Sequence, residues 1–278
     1  MRHRLLPGPK NSTEEAGRRY HQCGAMAIRT PMSSLLRFGV LLCLTSATVH
    51  AGDGRTLRVL FVGNSLTYQN DLPRMFAGLA KSRGHDVQVD VFSPGGYRLA
   101  QHAVDQRLLE KIDRGGWDVV VLQEQSQMPA VPRERLDREV YPFARALSQR
   151  IQAASPRARI AFYQTMARRN GDAQTFPDLP EAHTYQGMQR RINASYAEMA
   201  KANHGLLVPV GEVWEKARTQ NPTLSLYADD VHPSFLGTYL VACVFYAALF
   251  GESPIGAAHP PGIDDASAAF LQKLASAH

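Results

Sequence analysis

From residue 57 to residue 210 the chain alternates between two patterns. Short runs of β-branched and apolar residues are followed by longer amphipathic stretches. The short runs predict strands at 57–62 (Leu57-Arg58-Val59-Leu60-Phe61-Val62), 87–92, 118–122, 158–164 and 206–210. Three of them are nearly continuous apolar runs, as expected for strands buried on both faces of a parallel sheet. The longer stretches predict helices at roughly 71–83, 98–114, 134–154 and 184–203. Further helices are predicted at roughly 211–219, 233–250 and 265–277. Alternation of this kind implies an α/β protein, a three-layer α/β/α sandwich with right-handed crossovers.

Two stretches refine this picture. The apolar run Phe235 to Phe250 contains Gly237, Thr238 and Tyr239 and is shorter than a bilayer span, so it reads as a helix buried against the sheet. The stretch Arg168 to Glu181, with Pro177 and Pro180, is the longest predicted loop. It follows the fourth strand, where loops of open α/β sheets line binding crevices. Within 55–278 there is no linker, repeat or low-complexity segment, so residues 52–278 are read as one domain.

The amino-terminal stretch 1–51 is different. Arg37 precedes the apolar run Phe38-Gly39-Val40-Leu41-Leu42-Cys43-Leu44. Small and polar residues follow, to Val49-His50-Ala51. Val at −3 and Ala at −1 suit signal-peptidase cleavage before Gly52, so the chain is expected to be exported, to the periplasm or beyond, with no stable membrane insertion after cleavage. Residues before Met32 are polar and unpatterned, which points to translation starting at Met26 or Met32.

Charge changes meaning once this leader is set apart. The formal net charge is +6, but residues 1–51 hold seven of the 31 basic residues and two of the 25 acidic ones. The remainder has 24 basic and 23 acidic residues, which gives no electrostatic case for nucleic acid. Of three cysteines, only Cys243 lies beyond the leader, so neither a disulfide nor a cysteine metal site is expected in the folded part.

The candidate chemistry sits at the two ends of the folded part. Gly63-Asn64-Ser65-Leu66-Thr67 follows the first strand and places Ser65 in a tight strand-to-helix turn. A serine hydroxyl is a weak nucleophile unless a base removes its proton. Asp229-Asp230-Val231-His232-Pro233 offers that base. In a turn, Asp229 reaches His232 Nδ1 and leaves Nε2 facing the serine. Asp230 reads as a solvated or capping residue. Donors for a developing oxyanion are available after the second strand (Ser93-Pro94-Gly95-Gly96) and after the third (Gln123-Glu124-Gln125-Ser126). Read alone, each motif is also an ordinary turn or cap.

Taken in order, these blocks resemble the SGNH, or GDSL-like, hydrolases. The resemblance covers about residues 57–250. It implies a flavodoxin-like sheet of order 2-1-3-4-5, with Ser65 as nucleophile, His232 as base and Asp229 as its orienting acid. It further implies Ser65 and Gly96 N–H groups in the oxyanion hole and no cofactor. The third block departs from the family's Gly-x-Asn-Asp. Strict alignment gives the asparagine's role to Gln125. The Gln-Gly-Glu block of the carbohydrate acetylesterase branch favours Gln123 instead. The expectation is an exported serine esterase acting on an acetyl or short-chain ester of a carbohydrate or another small molecule. Alternatives are a lipase or thioesterase, a non-catalytic carbohydrate-binding protein on the same scaffold, and a metal-dependent hydrolase using Asp229, Asp230 and His232.

Overall fold

In the computed structural model, residues 55–277 are described. The predicted leader 1–51 lies outside the described residues. Five parallel strands run in chain order β1 Leu57–Val62, β2 Val87–Phe92, β3 Val119–Leu122, β4 Arg159–Tyr163 and β5 Leu206–Val208. They pair in the order β2-β1-β3-β4-β5, as the family resemblance implies. β1 lies between β2 and β3, and its Val59, Leu60, Phe61 and Val62 are fully buried. β2 is an edge strand, and its Val87, Val89 and Val91 alternate with Gln88 and Asp90. That difference follows from position: only a strand with neighbours on both sides and helices on both faces has all its side chains out of water.

Reversal of strand order beside β1 sends the first crossover to one face and the later ones to the other. Helices α1 Ser65–Tyr68 and α2 Leu72–Ser82 join β1 to β2. α3 Leu99–His102 and α4 Gln106–Asp113 join β2 to β3, α5 Arg133–Glu139 and α6 Tyr141–Ala154 join β3 to β4, and α7 Tyr185–Ala202 joins β4 to β5. The chain closes with α8 Val210–Gln220, α9 Phe235–Phe250 and α10 Asp265–Ser276. α2, α8 and α10 pack around α9, while α3 to α7 pack among themselves on the other face.

α9 is the apolar run read as a buried helix, and it is buried nearly all round. Phe245 packs tilted against Phe61 of β1 at 5.4 Å and edge-to-face against Tyr163 of β4 at 5.2 Å, ring centre to ring centre. Among the described residues no helix is long and apolar enough to cross a membrane. Cys243 lies inside α9 as a free, buried thiol, and burial pushes its pKa up to about 12. Such a thiol is not a nucleophile at neutral pH.

Two predicted helices are broken in the structure. The stretch 98–114 divides because Asp105 caps a new start, accepting from Arg107 N–H at 3.0 Å. The stretch 134–154 divides at Val140, two residues before Pro142. Pro142 has no N–H to donate to the carbonyl four residues back, so the helix breaks and restarts with proline in its first turn. β5 ends two residues earlier than predicted because Val210 begins α8.

Candidate active site

The site is built at the carboxyl edge of β1, where the chain turns from strand to helix within three residues. Gly63 allows this turn. A Cβ on Gly63 would overlap Thr67 Oγ1 and Gln123 Oε1, both packed against it. Gly63 N–H donates to Phe92 O at 3.1 Å, and His102 Nε2–H donates to Gly63 O at 2.9 Å. His102 is fully buried. Burial drives its pKa down to about 4, against the opposing pull of the Gly63 carbonyl and Asp105. The imidazole is therefore neutral and serves as a single donor.

Asn64 then caps α1. Its Oδ1 accepts from Leu66 N–H at 3.1 Å, and its Nδ2 donates to Tyr97 O at 2.9 Å. The second bond ties the serine turn to the glycine turn after β2. Gly96 stands in that turn at φ +71°, exposed, in the left-handed region that glycine adopts without strain.

Ser65 opens α1 and is partly exposed. Its Oγ lies 2.9 Å from His232 Nε2. His232 Nδ1 lies 2.8 Å from Asp229 Oδ2. The other carboxylate oxygen, Oδ1, accepts from the N–H groups of Val231 and His232, each at 2.7 Å. These bonds close the turn expected from the spacing. Partial burial pushes the Asp229 pKa up, but the hydrogen bonds from His232 and Val231 outweigh it and hold the carboxyl down at about 2. The carboxylate is thus anionic across any working pH and fixes the imidazole proton on Nδ1. Asp230 is exposed, and its backbone carbonyl accepts from Arg169 N–H at 2.9 Å.

Residues outside the two motifs hold them together. Asn70 adopts φ +52°, and its Nδ2 donates to Pro233 O at 3.1 Å and Thr238 Oγ1 at 2.9 Å. This joins the serine side to the histidine side across more than 160 residues of chain. Arg169 Nη2 donates to Tyr227 O at 3.1 Å, and Tyr227 OH donates to Ala167 O at 2.6 Å. Tyr227 in turn pairs with Pro233 in an antiparallel bridge. The long loop after β4 therefore supports the histidine turn from behind. No sequence motif marks these contacts, because each partner is remote in the chain.

The two candidate glutamines differ in placement. Gln123 is fully buried. Its Oε1 accepts from Asn64 N–H and Thr67 Oγ1, each at 2.9 Å, and its Nε2 donates to Glu124 O. Gln125 is partly exposed. Its Nε2 donates to Gln127 Oε1 at 2.7 Å, and its Oε1 accepts from Gln127 N–H at 2.9 Å. Gln127 Nε2 goes on to Asp172 at 2.7 Å, linking the β3 edge to the loop after β4.

Glu124 lies between the glutamines and is fully buried. Its carboxyl accepts from Leu99 N–H at 3.2 Å and Gln125 N–H at 2.6 Å. Burial pushes its pKa up to about 8, beyond what these two donors and Arg98 can offset. The folded protein therefore holds a proton here that the unfolded chain releases near pH 4.5. Stability is expected to fall as pH rises between those values, by up to about 1.4 kcal/mol per pH unit. Glu124→Gln keeps the acceptor and removes the proton. Thermal unfolding followed between pH 5 and 8 should show a flatter pH dependence for the variant than for the parent; an equal slope would assign the proton elsewhere.

Two surface grooves of about 380 and 330 Å³ run along α5, α6 and α7 and include none of these residues. Between them Arg133 pairs with Asp137 and Glu198, and Tyr141 OH donates to Glu198. Among the described residues, no cluster of three His, Cys, Asp or Glu side chains is arranged to hold a metal ion.

Comparison with known proteins bears on the fold. No family model matches the chain, and no curated protein does. Solved structures do. A DUF4886 family protein from Bacteroides uniformis superposes with a TM-score of 0.69 at 19% identity, covering 80% of this chain and 94% of that one. A protein from Slackia heliotrinireducens, inferred to be an SGNH hydrolase, matches with a TM-score of 0.56 at 29% identity, covering 70% of this chain and 99% of that one. An acetylxylan esterase from Geobacillus stearothermophilus shares the fold with a TM-score of 0.53 at 16% identity, covering 72% and 95%. The match at 29% identity supports a hydrolase, and those at 16% and 19% show the shared fold. The chain shares the three-layer α/β/α fold of these SGNH/GDSL-like structures.

Proposed function

We propose that the protein is an exported serine esterase that removes an acetyl or other short acyl group, with a carbohydrate ester as the leading substrate. The observation that carries the reading is the continuous chain Ser65 Oγ, His232 Nε2, His232 Nδ1 and Asp229 Oδ2, with links of 2.9 and 2.8 Å. Ser65 Oγ attacks the ester carbonyl carbon while His232 Nε2 takes the hydroxyl proton. The carbonyl electron pair moves onto oxygen, where the N–H groups of Ser65 and Gly96 and the side chain of Gln125 are the candidate donors. Collapse breaks the ester C–O bond, and the leaving alcohol takes the proton from His232. Water, deprotonated in turn by His232, releases the acid and restores Ser65. Asp229 holds the tautomer throughout and stabilises the imidazolium.

The carbohydrate ester is supported by the fold shared with acetylxylan esterases and export by the leader-like pattern of residues 1–51. The experiment is to incubate the mature protein with p-nitrophenyl esters of increasing chain length, with acetylated xylo-oligosaccharides, and with a serine-directed phosphonate. Expected are turnover that declines with acyl length, acetate release from the oligosaccharide, and a phosphonate adduct on Ser65. Absence of both turnover and adduct would overturn the esterase reading. Preference for long acyl chains would replace the substrate by a lipid.

A further inference from the structure

We infer that Gln123 is a positioning residue that clamps the serine turn from beneath and does not itself donate to the oxyanion. The inference rests on the serine-esterase reading and assigns a different task to the third block from the one the family resemblance implies.

Three observations carry it. First, Gln123 has no exposed surface. An oxyanion donor must lie about 3 Å from a substrate oxygen, and no substrate atom can reach a side chain sealed on every side. Second, the orientation of its amide is determined. Asn64 N–H can only donate, so the Gln123 atom 2.9 Å from it is the oxygen. The NH₂ group is thereby turned to the carbonyl of Glu124. Third, the same oxygen accepts from Thr67 Oγ1 at 2.9 Å. Its two donors stand on either side of Ser65 in the chain.

The effect on the turn can be followed amide by amide. Asn64 N–H goes to Gln123, Leu66 N–H to Asn64 Oδ1, and Thr67 and Tyr68 N–H to Asn64 O. Among the described residues, Ser65 N–H is the amide of this turn that takes no partner. Gln123 thus takes the amide just before the nucleophile, Asn64 takes those after it, and the nucleophile's own N–H is left for the reaction. Gly63 is part of the same device, since any side chain there would displace the Gln123 oxygen.

A double-mutant cycle on Gln123 and Thr67 tests this. Gln123→Met keeps the volume and removes the acceptor; Thr67→Val keeps the shape and removes one donor. With p-nitrophenyl acetate, Thr67→Val should lower kcat about five-fold, the worth of one hydrogen bond. Gln123→Met should lower it about 100-fold through misplacement of Ser65. KM should stay within about two-fold, and the double variant should be no worse than Gln123→Met alone. Wild-type kcat in Thr67→Val, or losses that multiply in the double variant, would overturn the clamp and return Gln123 to direct donation. Amide hydrogen exchange at Asn64 reads the same contact without activity. It should accelerate in Gln123→Met, and unchanged protection would overturn the inference. If Gln123→Met does not fold, Thr67→Val decides by the same two readouts. A wild-type protein with no turnover and no phosphonate adduct would remove the esterase reading, and the exchange measurement would still decide the clamp.

Discussion

Ser65→Ala is expected to lower kcat/KM for p-nitrophenyl acetate by about 10⁵- to 10⁶-fold, the loss seen when a nucleophile of this type is removed. The reason is structural as well as chemical. Ser65 Oγ is the atom 2.9 Å from His232 Nε2, at the end of a turn whose other groups are spent on holding it there. Removing it leaves the base without a proton to take. His232→Ala should cost about as much, and the double variant little more, because the two residues act in one step. Steady-state kinetics and phosphonate labelling read all three. The fold should survive in Ser65→Ala, since a partly exposed hydroxyl is lost and no buried group is stranded. Activity that persists in Ser65→Ala and disappears with a chelator would instead place the chemistry on a metal.

Asp229→Asn is expected to lower kcat about 10²-fold, well short of the roughly 10⁴-fold loss known where the orienting acid is buried. The Asp229 side chain is 56% exposed and that of His232 30%. Water can reach the imidazole and supply part of the stabilisation that the carboxylate gives. KM should change little, because Asp229 touches the base and not the substrate. The depressed acidity has a sign that can be checked. A carboxyl held at about 2 in the folded protein and near 3.8 when unfolded adds stability above pH 4 and loses it as pH falls toward 2. Acid unfolding of Asp229→Asn should therefore be shallower than that of the parent over this window. A loss of activity near 10⁴-fold would show that the turn closes over Asp229 when substrate binds.

Asp229 and Asp230 show how far local sequence reasoning reaches. A carboxylate three residues before a histidine, inside a turn, has few conformations open to it, and the structure seats Asp229 on both His232 Nδ1 and His232 N–H. The same reasoning selected Ser65, because a glycine after a buried strand permits a sharp turn. Most strand and helix bounds follow from periodicity for a similar reason: burial on one face or on both leaves its spacing in the chain. The two broken helices are cases where a single cap or proline overrode the period.

Gln123 and Gln125 show where that reach ends. Alternation along an extended strand puts both on one side, yet one is sealed beneath the serine turn and the other stands at the edge. The strand ends at Leu122, so a period of two no longer applies beyond it. What each amide does is set by donors from the turn after β1 and from the loop after β4. Asn70 is silent in the sequence for the same reason, as are the partners that Arg169 and Tyr227 take.

The amino-acid sequence by itself determined the parallel α/β architecture, the order of the strands through the family resemblance, and the choice of Ser65, His232 and Asp229 as candidates. These depend on local pattern, on short spacings and on blocks recurring in order along the chain. Only the tertiary structure decided how the serine reaches the histidine, which glutamine is buried, and what Glu124 and His102 do beneath the turn. Those outcomes depend on hydrogen bonds between segments that packing of the sheet brings together, and on burial, which belongs to the whole fold.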